Sequence, residues 1–90
     1  MHLYLDHNQL TTLPTQIGNL TELEELYLNY NELTTLPPEI GNMTELTYLN
    51  ATNNELLLAE LPQEIIRMRT RGTEIYTFDD FPGRTRSWTS

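Results

Sequence analysis

Apolar and polar residues alternate in three short runs, Leu3-Tyr4-Leu5, Leu26-Tyr27-Leu28 and Leu49-Asn50-Ala51, set 23 residues apart. Period-two alternation puts the outer members of each run on one face and the middle residue on the other. Strands are therefore predicted near 3–5, 26–28 and 49–51, with Leu3/Leu5, Leu26/Leu28 and Leu49/Ala51 turned inward. The segments that follow repeat as faithfully. Leu13-Pro14-Thr15-Gln16-Ile17-Gly18-Asn19-Leu20-Thr21-Glu22-Leu23 lies over Leu36-Pro37-Pro38-Glu39-Ile40-Gly41-Asn42-Met43-Thr44-Glu45-Leu46. Here the apolar spacing widens. Leu10, Leu13, Ile17, Leu20 and Leu23 complete the core of the first coil, and Leu33, Leu36, Ile40, Met43 and Leu46 that of the second. Proline restricts the residue before it and glycine weakens helix continuation, so short helical or 3₁₀ turns are expected in place of long helices. A coil of this size cannot bury its leucines alone, and the repeat demands a stack.

The phrase LxxLxLxxNxLxxLPxxIxxL, carried from Met1 to about Met68, resembles the leucine-rich-repeat family in its 23-residue variety. The resemblance implies an α/β, right-handed solenoid with a parallel β-sheet on the concave face and short helical or 3₁₀ turns on the convex face. Asn8, Asn31 and Asn54 stand where each coil leaves its strand. An Asn amide both donates to and accepts from backbone groups that such a corner leaves unpaired. The resemblance makes these three a structural ladder inside the stack.

The third coil departs from the pattern. Two extra residues lie between Asn54 and Leu61-Pro62, bringing Leu57 and Leu58 into the loop, while Ala51 replaces a core leucine. The insertion is expected to bulge the convex loop, with Leu57 or Leu58 filling the space beneath Ala51. Beyond Met68 the repeat frays, and Arg71 falls near the position held by Leu23 and Leu46. Thr73-Glu74-Ile75-Tyr76-Thr77-Phe78 is β-branched and aromatic, a fourth strand over 74–78 with Ile75 near the Leu49 position. Asp79 to Gly83 reads as a turn and Arg84 to Ser90 as a tail. The chain thus divides into repeats over 1–72, about three coils, and a C-terminal cap strand and tail over 73–90. The first rung is expected to lack a comparable cover, so that either the chain is a piece of a longer array or a second copy meets it at that strand edge as a homodimer.

Composition narrows the partners. Residues 1–66 hold ten carboxylates and no cation, the five cations are arginines from Arg67 onward, and the net charge is −8. Such a body repels phosphate backbones, which argues against nucleic acid and anionic membrane. The chain has no cysteine, which excludes disulfides and thiolate chemistry. No apolar run reaches the roughly 18 residues of a membrane span. With no signal-peptide pattern and no cysteine-bearing caps, a cytoplasmic protein is expected.

The outward strand positions form ladders: Tyr4, Tyr27, Asn50; then Asp6, Asn29, Thr52; then His7, Tyr30, Asn53. By the resemblance these nine residues are the concave, partner-binding face, and tyrosine is a common anchor of such surfaces. His2, Asp6 and His7 do not make a metal site, because ligands must converge in number and Asp6 and His7 diverge along a strand. Glu24-Glu25 and Asp79-Asp80 are adjacent in sequence and do not face one another across a cleft, so a shared-proton dyad is not expected. No phosphate loop, nucleophile elbow or zinc-helix motif occurs. The triplets at Asn19, Asn42 and Asn50 match the glycosylation acceptor pattern, but the first two follow from the repeat itself. The expectation is a protein–protein interaction module with neither catalytic residues nor a cofactor. The alternatives are a self-assembling solenoid piece and the recognition segment of a larger signalling enzyme.

Overall fold

A computed structural model describes residues 1–57 and 61–77. In chain order they form β1 (His2–Tyr4), the 3₁₀ helix η1 (Thr15–Asn19), β2 (Glu25–Tyr27), η2 (Pro38–Asn42), β3 (Tyr48–Asn50), the α-helix α1 (Gln63–Thr70) and β4 (Glu74–Tyr76). The strands make one parallel sheet in the order β1-β2-β3-β4. Leu3 pairs with Leu26, Leu26 with Leu49, and Leu49 with Ile75. Each strand returns beside itself through a helical turn on the other side, which is a solenoid. The first three strands begin one residue earlier than the leucine alternation suggests. Pairing nevertheless continues past them: the N–H groups of Leu5, Leu28 and Ala51 donate to the carbonyls of Tyr27, Asn50 and Tyr76 at 2.8, 2.7 and 2.6 Å.

The core is a thin slab of repeat positions. Leu23, Leu26, Leu28, Leu33, Leu36, Ile40, Met43, Leu46 and Leu49 are closed to solvent, while Leu3, Leu5, Leu10 and Leu13 of the first coil are only partly buried. The first coil is thus closed at Leu23 and Ile17 but open at the four leucines nearest its strand and corner. Leu20 is exposed although its second-coil counterpart Met43 is buried.

The three asparagines bond to backbone at the corner where each coil leaves its strand. Asn31 Nδ2 donates to the carbonyls of Leu28 (2.9 Å) in its own coil and Leu5 (3.0 Å) in the coil before, and its Oδ1 accepts from Leu10 N–H at 3.0 Å. Asn54 repeats this one coil later, donating to Ala51 and Leu28 and accepting from Leu33 N–H at 2.9 Å. Asn8, in the first coil, donates to the carbonyls of Leu5 and Asp6. Each amide therefore satisfies backbone that the corner strips of partners, and those of Asn31 and Asn54 also tie two coils together.

The return turns differ in a way the sequence explains. Coils one and two carry Ile-Gly-Asn and make five-residue 3₁₀ helices. Coil three reads Ile65-Ile66-Arg67 and makes an eight-residue α-helix. The glycines matter for clearance as well as for helix length. A Cβ on Gly18 would press on the Glu39 carbonyl and lie 2.9 Å from Glu39 Cβ, and one on Gly41 would lie 2.9 Å from Glu64 Cβ. Side-chain-free backbone is what lets each turn seat against the next.

Two expectations about the third coil need correction or restriction. Leu57 does not fill the space beneath Ala51; it is 56% exposed, because Leu56 takes the buried repeat position and its successor turns out. Leu58 lies outside the described residues, as do Phe78, the Asp79–Gly83 turn signal with its paired aspartates, and the tail. Arg71 does not enter the core where Leu23 and Leu46 sit. It is exposed and its guanidinium donates to the Met43 carbonyl at 2.8 Å. The neighbouring Thr73 hydroxyl, buried, donates to the Leu46 carbonyl at 3.0 Å.

Candidate functional site

The outer face of the sheet is a continuous patch of paired side chains. Strand register sets two rows across it, His2, Glu25, Tyr48, Glu74 and Tyr4, Tyr27, Asn50, Tyr76. Tyr4 and Tyr27 stack with centroids 4.6 Å apart and planes 12° from parallel. From Tyr27 the line of rings steps diagonally to Tyr48 at 5.2 Å and on to Tyr76 at 5.7 Å, tilted by 44° and 49°. Four tyrosines thus run unbroken over all four strands. Tyr48 and Tyr76 are the two members that the ladder reading by repeat position leaves out. Tyr48 sits one row away from Tyr27 and meets it only through the sheet's diagonal neighbour geometry, and Tyr76 follows an irregular coil.

A second row lies where the strands end. His7 N–H donates to the Asn29 carbonyl at 2.9 Å, and Tyr30 N–H to the Thr52 carbonyl at 3.0 Å. His7, Tyr30 and Asn53 all adopt left-handed backbone, with φ of 58°, 61° and 58°. Asparagine tolerates this conformation; histidine and tyrosine adopt it at a cost of about 1 kcal/mol or more. The two costly residues stack on each other at 4.5 Å and 12°, and Tyr30 remains 50% exposed. The row Asp6, Asn29, Thr52 lies between. Thr52 is the one residue of the nine that does not face solvent: it is buried, and its hydroxyl donates to Asn50 Oδ1 at 2.8 Å. That bond, with Thr52 N–H to the same oxygen at 3.1 Å, turns the threonine back toward its own strand. Asn29 Oδ1 is shielded from water and receives no hydrogen bond.

Electrostatics concentrate on Glu25. Tyr27 Oη donates to Glu25 Oε1 at 2.7 Å, and His2 Nε2 lies 3.6 Å from Oε2. The hydrogen bond to this carboxylate, together with desolvation and its charge, pushes the Tyr27 phenol up to about 12. Burial raises the Tyr48 phenol, with Tyr76 and Glu74 adding to the rise against a lowering from its hydrogen bond with Asn50. Both rings remain protonated donors at neutral pH. His7 Nε2 faces Asp6 Oδ2 at 3.8 Å, so these neighbours approach where strand alternation predicts divergence, because His7 has left the strand with φ of 58°; His2 points instead to Glu25.

No curated protein matches the chain. The Leucine rich repeat family profile matches residues 1–56, more than half of its length, which takes in the first three strands and both glycine-bearing turns. That family is a generic protein-interaction module and is typically non-catalytic. By the matched profile, the 23-residue coils and the asparagine ladder, the chain belongs to the leucine-rich repeat family.

Proposed function

We propose that the outer, concave face of the sheet is a protein-binding surface and that the chain acts by recognition without catalysis. The observation that carries this is the unbroken run Tyr4, Tyr27, Tyr48, Tyr76, with the His7–Tyr30 stack beside it. Rigid, partly exposed rings lose little conformational entropy on binding and supply most of the energy at many interfaces. Tyr30 strengthens the reading, since an exposed tyrosine in left-handed backbone contributes nothing to the core while straining the chain.

The test is calorimetry with a partner isolated on the immobilised chain, comparing Tyr27→Ala and Tyr30→Ala with Glu45→Ala. Each tyrosine variant should lose more than about 1 kcal/mol of affinity while denaturation midpoints move little. Loss through Glu45 with the tyrosine variants unaffected would place the contact on the turn side and overturn the proposal.

A second reading, homodimerisation through the first coil, is favoured by one observation. Leu3, Leu5, Leu10 and Leu13 are only partly buried although they occupy repeat positions that are closed in the second coil. Light scattering after size exclusion tests it, and Leu5→Lys should abolish the dimer.

A further inference from the structure

The proposed face has a definite chemical bias. Its two rows carry the carboxylates Glu25 and Glu74, and Asp6 lies just beyond. The described arginines, Arg67, Arg69 and Arg71, belong instead to α1 and the turn after it. The face is therefore rich in anionic acceptors and holds no permanent cation of its own among the described residues. Glu25 is held in place by the Tyr27 hydroxyl on one oxygen, which leaves its other oxygen turned toward the exposed His2. A guanidinium, planar and donor-only, is the complement of such a carboxylate beside aromatic rings.

Spacing makes the partner more specific. Glu25 and Glu74 occupy one row with Tyr48 between them, so they are two strand intervals apart. At about 4.8 Å per interval the separation is close to 10 Å. A β-extended ligand alternates its side chains between two sides, so residues three apart point oppositely. A polyproline-II segment has three residues per turn and a rise of about 3.1 Å, which brings every third side chain to the same side about 9 Å along. The match is to the left-handed, proline-rich conformation. Its prolines would lie against the tilted Tyr27, Tyr48 and Tyr76 rings, as such segments do in other aromatic-lined grooves.

We propose that this face takes a polyproline-II segment of a partner protein bearing arginines three residues apart, one paired with Glu25 and the next with Glu74. The inference rests on the outer sheet face being the binding surface.

The experiment titrates the 90-residue chain with three synthetic dodecapeptides and follows backbone amides by NMR. The first repeats Arg-Pro-Pro four times. The second has the same composition with its four arginines together at one end. The third repeats Glu-Pro-Pro. The first should bind saturably, shifting the amides of β2, β3 and β4, and the second should bind at least about fivefold more weakly. Glu25→Gln with Glu74→Gln should weaken the first peptide by about tenfold or more. Glu22→Gln with Glu45→Gln removes as much charge outside the sheet and should change affinity less than about threefold. Equal affinity for the two arginine isomers, equal loss in the two double variants, or no binding would each overturn the inference. Random dodecapeptides selected by display and mapped on the same amides separate it from its premise. Ligands that map to the sheet face without Arg-x-x-Arg spacing overturn the inference alone. Ligands that map to the turns overturn the binding surface as well.

Discussion

Leu28 lies in the middle coil, fully closed to solvent, with core neighbours in the coils on both sides. Truncation to alanine removes buried methyl groups from a slab too thin to rearrange, and should cost about 2–5 kcal/mol in chemical denaturation. A near-zero effect would show that the slab closes around the gap. Asn31 is a different kind of anchor. Alanine there strands Leu10 N–H and weakens the satisfaction of two carbonyls, each buried group costing about 1–3 kcal/mol. Asn8→Ala should cost less, because the bonds it loses are exposed and confined to one coil. Equal losses in the two variants would contradict the bridging role. At Tyr27 the folded state holds the phenolic proton up to about 12, against an ordinary value of 10. The stability this contributes is present below pH 10 and is lost as pH rises toward 12, since the folded chain then binds more protons than the unfolded one. Spectrophotometric titration should show the Tyr27 phenol ionising near pH 12, and Glu25→Gln should bring it forward. These roles were unevenly legible. Leu28 and the asparagines follow from the repeat alone, whereas the Tyr27–Glu25 bond depends on how two residues of one strand lean toward each other.

At the scale of elements, the sequence of each return turn decided its helix. Ile-Gly-Asn gives 3₁₀ turns, and Ile65-Ile66-Arg67, without the glycine, gives α1. An α-helix rises about 1.5 Å per residue against about 2.0 Å for a 3₁₀ helix, so it consumes more chain over a similar span. This fits the extra residue between Ile65 and Ile75 relative to Ile40 and Leu49. Ile75 accordingly reaches the Leu49 register despite the irregular spacing. Strand positions were readable because alternation reports burial directly. The fate of Leu57 was not, because an inserted pair can turn either way and only Leu56 has a repeat position to fill. The glycines read as helix breakers, yet their tightest constraint is the adjacent coil, which no local pattern reveals. Gly18→Ala tests that constraint: its methyl group must displace the backbone and Cβ of Glu39, with little room for relief. A loss of about 1–3 kcal/mol is expected in urea denaturation. A gain, as helix propensity alone would give, would show that η1 and η2 are packed less closely than this.

Across the whole molecule, charge and apolar surface are distributed so that the two proposed modes of association should respond oppositely to salt. The chain carries a net charge of −8, with no lysine or arginine before Arg67. Two copies meeting through the half-buried leucines of the first coil bring like charges together. Screening should therefore strengthen that contact, and light scattering should report more dimer at 0.5 M than at 0.05 M sodium chloride, as the Debye length falls from roughly 14 Å to about 4 Å. An arginine-bearing ligand on the sheet face should lose affinity over the same range, because its attraction is the term being screened. Leu5→Lys places a charge among Leu3, Leu10 and Leu13 and should abolish the first mode while leaving the second intact. Glu25→Gln with Glu74→Gln should do the reverse. Dimerisation that weakens with salt, or survives Leu5→Lys, would mean that copies meet through charged surfaces instead, with the arginines after Ile66 of one chain against the acidic coils of another.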